Sequence, residues 1–119
     1  MAVFASKQIV MPVLSIAVTI TGTGNADYCY ATINGTKQYS AGTHEVNTGD
    51  TITFGVYGRN DTDYGSVTID GTEVLRVTGK TTQTYDWTVP GGISTVEIAM
   101  VYDTKAGRPN YGAITVTTA

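Results

Sequence analysis

Leucine occurs only twice in this 119-residue chain, at Leu14 and Leu75, and cysteine, histidine and tryptophan once each. A single cysteine excludes a disulfide framework, and one cysteine with one histidine excludes a Cys- and His-rich metal centre. Scarce leucine argues against helices, because the residues that fill helical faces are missing. Positive charge is scarce too: seven Lys and Arg against ten Asp and Glu leave a net charge of −3. No basic field is available to neutralise a phosphate backbone, so nucleic acid is not an expected partner. What is abundant is threonine, 22 residues, together with eight tyrosines. That bias toward β-branched and aromatic side chains predicts an all-β protein, and the length suits one domain.

The N-terminal stretch has the outline of a secretory leader, with Lys7 followed by apolar residues from Gln8 to Ile20. Pro12 interrupts it, however, and no small-x-small cleavage site follows. From Leu14 onward Leu14, Ile16, Val18 and Ile20 alternate with Ser15, Ala17, Thr19 and Thr21, which is the period of a strand. The stretch therefore reads as mature protein, too short and too broken to cross a bilayer. No membrane association is expected.

Glycine, asparagine and aspartate cut the remainder into short runs at the spacing of sandwiches and barrels. Strands are predicted at 13–21, 28–33, 37–39, 43–46 and 51–58, then around Val67 and Ile69, and at 74–78, 82–89, 94–102 and 111–118. Asn34-Gly35 and Asp70-Gly71 mark tight hairpins, since a type I′ turn needs positive φ at both central residues. Cys29, Ala31 and Ile33 share one face, as do Ile52, Phe54 and Val56, and these faces read as core. The fold class is an immunoglobulin-like two-sheet β-sandwich of seven to nine antiparallel strands over residues 13–119, without the paired cysteines of antibody domains. Residues 1–12 fall outside it. They read as an apolar N-terminal arm that wants a partner surface, or as an added edge strand bent at Pro12.

Catalytic chemistry finds little to use. His44, in Thr43-His44-Glu45-Val46, reads as a solvent-facing strand residue, and Cys29 as a buried thiol. Asp61 and Asp63 are a close carboxylate pair, yet they lie in the polar run 59–63, which reads first as a surface loop. Asn60-Asp61-Thr62-Asp63 alternates oxygen ligands in a manner suited to calcium, but lacks the glycine and bidentate glutamate of the known loop. No catalytic residue, metal or cofactor is expected. Tyr28 and Tyr30 oppose the Cys29 face and Tyr57 opposes the Phe54 face, which predicts outward aromatics. Such rings bind sugars or proteins, or else pair across strands and stiffen the sheet.

The runs Thr19-Ile20-Thr21-Gly22-Thr23-Gly24-Asn25, Tyr28 to Thr36 and Asn47 to Phe54 resemble a family of immunoglobulin-like domains found in structural proteins of tailed bacteriophages and prophages of Gram-positive bacteria. The resemblance spans residues 18–118 and is carried by turn and core residues. It implies a non-enzymatic protein of the virion surface, a capsid decoration subunit or a tail or fibre module. A single domain with an apolar arm favours a separate head-surface subunit. Val3, Phe4, Ile9, Val10 and Met11 would dock on a major capsid or tail protein, in many copies per particle, with the loops at 59–64 and 103–110 outward. The competing reading is a carbohydrate-binding or adhesion module that meets cell-surface glycans through Tyr28, Tyr30, Tyr57, Asp61 and Asp63.

Overall fold

A computed structural model of the chain describes residues 15–91, 95–102 and 113–118. The arm residues Val3, Phe4, Ile9, Val10 and Met11, and the loop 103–110, lie outside the described residues. Within them the chain is all-β, and no helix is long and apolar enough to cross a membrane.

Ten strands are present, where seven to nine were expected: β1 (Ser15–Thr23), β2 (Cys29–Ile33), β3 (Thr36–Gln38), β4 (Ser40–Asn47), β5 (Thr51–Tyr57), β6 (Gly65–Ile69), β7 (Thr72–Val77), β8 (Thr82–Thr88), β9 (Glu97–Val101) and β10 (Ala113–Thr118). The run 43–46 is the inner part of an eight-residue strand, and only Tyr39 separates it from β3. At that residue the chain passes from one sheet to the other.

The larger sheet runs β4-β1-β10-β9-β6-β7 and the smaller β3-β2-β5-β8, with every neighbouring pair antiparallel. Both predicted hairpin turns form as expected. Asn34 and Gly35 have φ of 52° and 80°, and Asp70 and Gly71 have 46° and 85°. Each turn is also stitched to a neighbour by its first residue. The Asn34 Nδ2 donates to the Glu45 carbonyl at 3.1 Å, and the Asp70 Oδ1 accepts from the Glu97 backbone N–H at 2.9 Å.

Alternation then delivers the core. Cys29, Ala31 and Ile33 of β2 and Ile52, Phe54 and Val56 of β5 face Val18, Ile20, Val67, Ile98, Met100 and Val116 of the larger sheet, all buried. Cys29 is a free buried thiol. Phe54 is wholly buried, and its ring meets that of Trp87 with centroids 6.3 Å apart. His44 departs from expectation. It stands opposite Val18 on the side of β4 that also carries Val46, and is half-buried rather than turned to solvent. Register decides this, since Val18 and Val46 are both core residues.

Phe54→Ala removes the largest buried side chain on the central strand of the smaller sheet. It should lower the unfolding free energy by about 3–5 kcal/mol, read as a shifted urea midpoint with an unchanged slope.

Candidate functional site

The candidate surface is one end of the sandwich, where β2 begins and β5 and β9 end. A tight turn presents Tyr28 there: its N–H donates to the Asn25 carbonyl at 3.0 Å, and the Asn25 Oδ1 accepts from the Asp27 N–H at 2.8 Å. The Asp27 carbonyl in turn accepts from the Thr82 hydroxyl at 2.8 Å, which ties the turn to the start of β8. Register pairs Cys29 with Val56, so Tyr28 comes opposite Tyr57, whose N–H donates to the Tyr28 carbonyl at 2.8 Å.

The Tyr28 ring lies 4.6 Å from that of Tyr57 and 6.1 Å from that of Tyr102, the latter pair stacked. Tyr57 belongs to the smaller sheet, whereas Tyr102 follows β9 of the larger one and is 3% exposed. Tyr28 therefore bridges the two sheets at their open end, one side of its ring against aromatic neighbours. It remains 43% exposed. Offset and tilted rings at these separations attract one another beyond the area they bury.

Tyr30 corrects the expectation of an outward, exposed ring. It lies on the outer face as alternation requires, yet is only 7% exposed. The reason is its partner across the ladder, Gly55. With no side chain there, the Tyr30 ring lies flat over the strand, so that a β-carbon at Gly55 would overlap it. The Lys37 Nζ closes the other side, 4.4 Å from the ring centroid. Tyr30 is thus held between a backbone and a cation and offers little to a ligand. Of the three tyrosines, Tyr28 alone is exposed, and Tyr57 is half-buried beside it.

The 60–63 loop is organised by Asn60. Its Oδ1 accepts from the N–H groups of Thr62 at 2.9 Å and Asp63 at 2.8 Å, and its own N–H donates to the Asp63 carbonyl at 2.9 Å. This is an Asx turn. It occupies the oxygen that a cation would need, and among the described residues no group of three or more His, Cys, Asp or Glu could hold a metal ion. Asp61 is exposed and Asp63 half-buried. The loop joins β5 to β6 at the same end of the sandwich as Tyr28, but its hydrogen bonds are its own.

Two features escaped sequence reasoning. The Arg76 guanidinium stacks 3.7 Å over the Tyr64 ring and pairs with Glu73 at 2.9 Å. Its hydrogen bond to the Glu73 carboxylate raises its pKa above the usual arginine value. The spacing Glu73 to Arg76 was visible, but the bulge between Val67 and Thr68 that brings them together was not. The second is a shallow groove of about 550 Å³ on the outer side of the larger sheet, lined by Thr68, Asp70, Gly71, Glu97 and Ala99. There the Asp70 carboxylate and backbone are already bonded to the Glu97 backbone.

Comparison of the chain with protein-family models, with curated proteins and with solved structures returns no match.

Two substitutions probe this geometry. Tyr28→Ala should cost about 0.5–1.5 kcal/mol through lost ring contacts and leave the far-ultraviolet spectrum unchanged. Gly55→Ala should expel the Tyr30 ring, detected as increased tyrosine accessibility to iodide or acrylamide quenching.

Proposed function

We infer that the chain is a non-enzymatic, immunoglobulin-like subunit of a virion surface, a capsid decoration or head-surface protein anchored through residues 1–12. The carrying observation is polarity. Ser15, to which residues 1–12 lead, sits beside Asn47 at one end of the sandwich. Tyr28 and the 60–63 loop occupy the opposite end. An aromatic, acidic surface remote from the strand end into which the apolar residues 1–12 lead suits a domain held at one pole and displayed at the other.

Strand order supports the immunoglobulin-like part of the reading. In that fold strands A to G form the sheets A-B-E-D and C-F-G. Here β2-β5-β8 fall in the order A-B-E, and β6-β9-β10 in the order C-F-G, with β7 added beside C. The remaining strands, β1, β3 and β4, are additions at the edges. The direction of β1, with Ser15 opposite Asn47, puts its first described residue at the end remote from Tyr28. The family resemblance supplies the virion setting, and partners are accordingly a capsid or tail protein and further copies of the chain.

Deleting residues 1–12 should leave a folded monomer that no longer binds particles, read by co-sedimentation and by counting copies per particle with gel densitometry. Retained binding by the truncated protein would remove the anchoring role.

The exposure of Tyr28 favours a second reading, a carbohydrate-binding or adhesion module of a tail, fibre or bacterial surface protein. A ring backed by Tyr57 and Tyr102 is pre-ordered, so a sugar face could stack on it at little entropic cost. On a glycan array this reading expects saturable binding that Tyr28→Ala abolishes and Tyr30→Phe preserves.

A further inference from the structure

We propose that Asn34 is a deamidation site, and that its conversion releases the β2–β3 hairpin from β4. Asn34-Gly35 is the one Asn-Gly pair among the five asparagines, the others being followed by Ala26, Thr48, Asp61 and Tyr111. In such a pair the Gly35 backbone nitrogen attacks Cγ of Asn34. The new N–Cγ bond replaces the Cγ–Nδ2 bond, ammonia leaves carrying the glycine proton, and a five-membered imide remains. Water then opens the ring at either carbonyl to give aspartate or isoaspartate. No electrons are transferred, and water is the only co-reactant.

Glycine makes the attack feasible because nothing on its α-carbon crowds the nitrogen. The turn is also open: both residues are exposed, and a β-carbon at Gly35 would meet nothing within 4 Å. Against this, the native fold restrains the side chain that must react. The Asn34 amide is tied to the Glu45 carbonyl at 3.1 Å, which restrains the side-chain rotation the attack requires. The reaction therefore proceeds through local opening of the hairpin, at a rate set by how often that one hydrogen bond and the turn release.

The same amide that reacts is the stitch between the sheets. Aspartate at this position has no hydrogen to donate and turns a negative oxygen toward the Glu45 carbonyl. Isoaspartate adds a methylene to the main chain, and a two-residue type I′ turn cannot absorb it without shifting register. The Asp70-Gly71 turn is different in kind: its carboxylate accepts from Glu97, so it has no donor to lose.

The test is to age the full-length protein in mildly alkaline buffer, separate the more acidic form by anion exchange, and locate the change by peptide mapping with fragmentation that distinguishes isoaspartate. Asn34 should convert before Asn25, Asn47, Asn60 and Asn110, and faster in denaturant than in the native state. The acidic form should melt lower, and its His44 and Val46 amides, which face β1, should exchange faster with deuterium. N34D, made directly, should reproduce the aspartate product in both measurements. Prior conversion at another asparagine would overturn the assignment. A converted form that melts and exchanges like the parent would overturn the role given to the stitch.

Discussion

The inner face of β5 is the constraint around which the rest of the molecule is arranged. Ile52, Phe54 and Val56 are all but inaccessible to solvent, and they occupy a strand with neighbours on both sides. Burying them requires the second sheet, because a lone four-stranded layer would leave one face of Phe54 in water. The larger sheet answers with side chains of β-branched or unbranched form, Val18, Ile20, Val67, Ile98, Met100 and Val116, which suit a pleated surface. With almost no leucine to draw on, the chain fills its core with valine and isoleucine, whose stiff side chains lose little freedom when packed.

That constraint explains which parts of the fold were legible. Alternation over short windows identified the faces of β1, β2 and β5, and the dipeptides Asn34-Gly35 and Asp70-Gly71 located two turns, because each signal is contained within a few consecutive residues. The change of sheet at Tyr39 left no comparable mark. It depends on β4 pairing with β1 rather than with β3, a contact between segments far apart in sequence. For the same reason His44 could not be placed. Its position follows from standing opposite Val18, and register across β1 and β4 is invisible in either strand alone.

The tyrosines divide along the same line. Alternation puts Tyr30 on the outer face, whereas Tyr57 packs partly against the core cluster and Tyr28 stacks on the buried Tyr102, so exposure depends on what each ring meets. Tyr30 meets Gly55 and lies down, while Tyr28 meets Tyr57 and Tyr102 and stands across the open end. A glycine opposite an aromatic residue is a cross-strand signal, and it becomes readable only once register is known. Asp61 and Asp63 were legible as a surface loop, and the Asx turn that Asn60 builds accounts for that without any ligand. Nothing in the sequence between Tyr57 and Tyr64 indicates that Tyr102 will arrive from the other sheet.

Edge protection shows how the turns complete the fold. β4 borders the larger sheet, and over its eight residues it contains neither lysine nor proline, the usual safeguards against pairing with another chain. Both main-chain groups of Asn47 are engaged by Asp50, the N–H with its carboxylate and the carbonyl with its N–H. Antiparallel ladders alternate bonded and non-bonded pairs, which turns the Glu45 carbonyl outward as well. It is this carbonyl that Asn34 occupies from the neighbouring sheet. Two turn side chains thus cover one half of an edge that has neither lysine nor proline to defend it. The half that contains Ala41 and Thr43 relies instead on brevity and on the irregular register between Ile20 and Thr23, which spoils the flat ladder that an incoming strand would need.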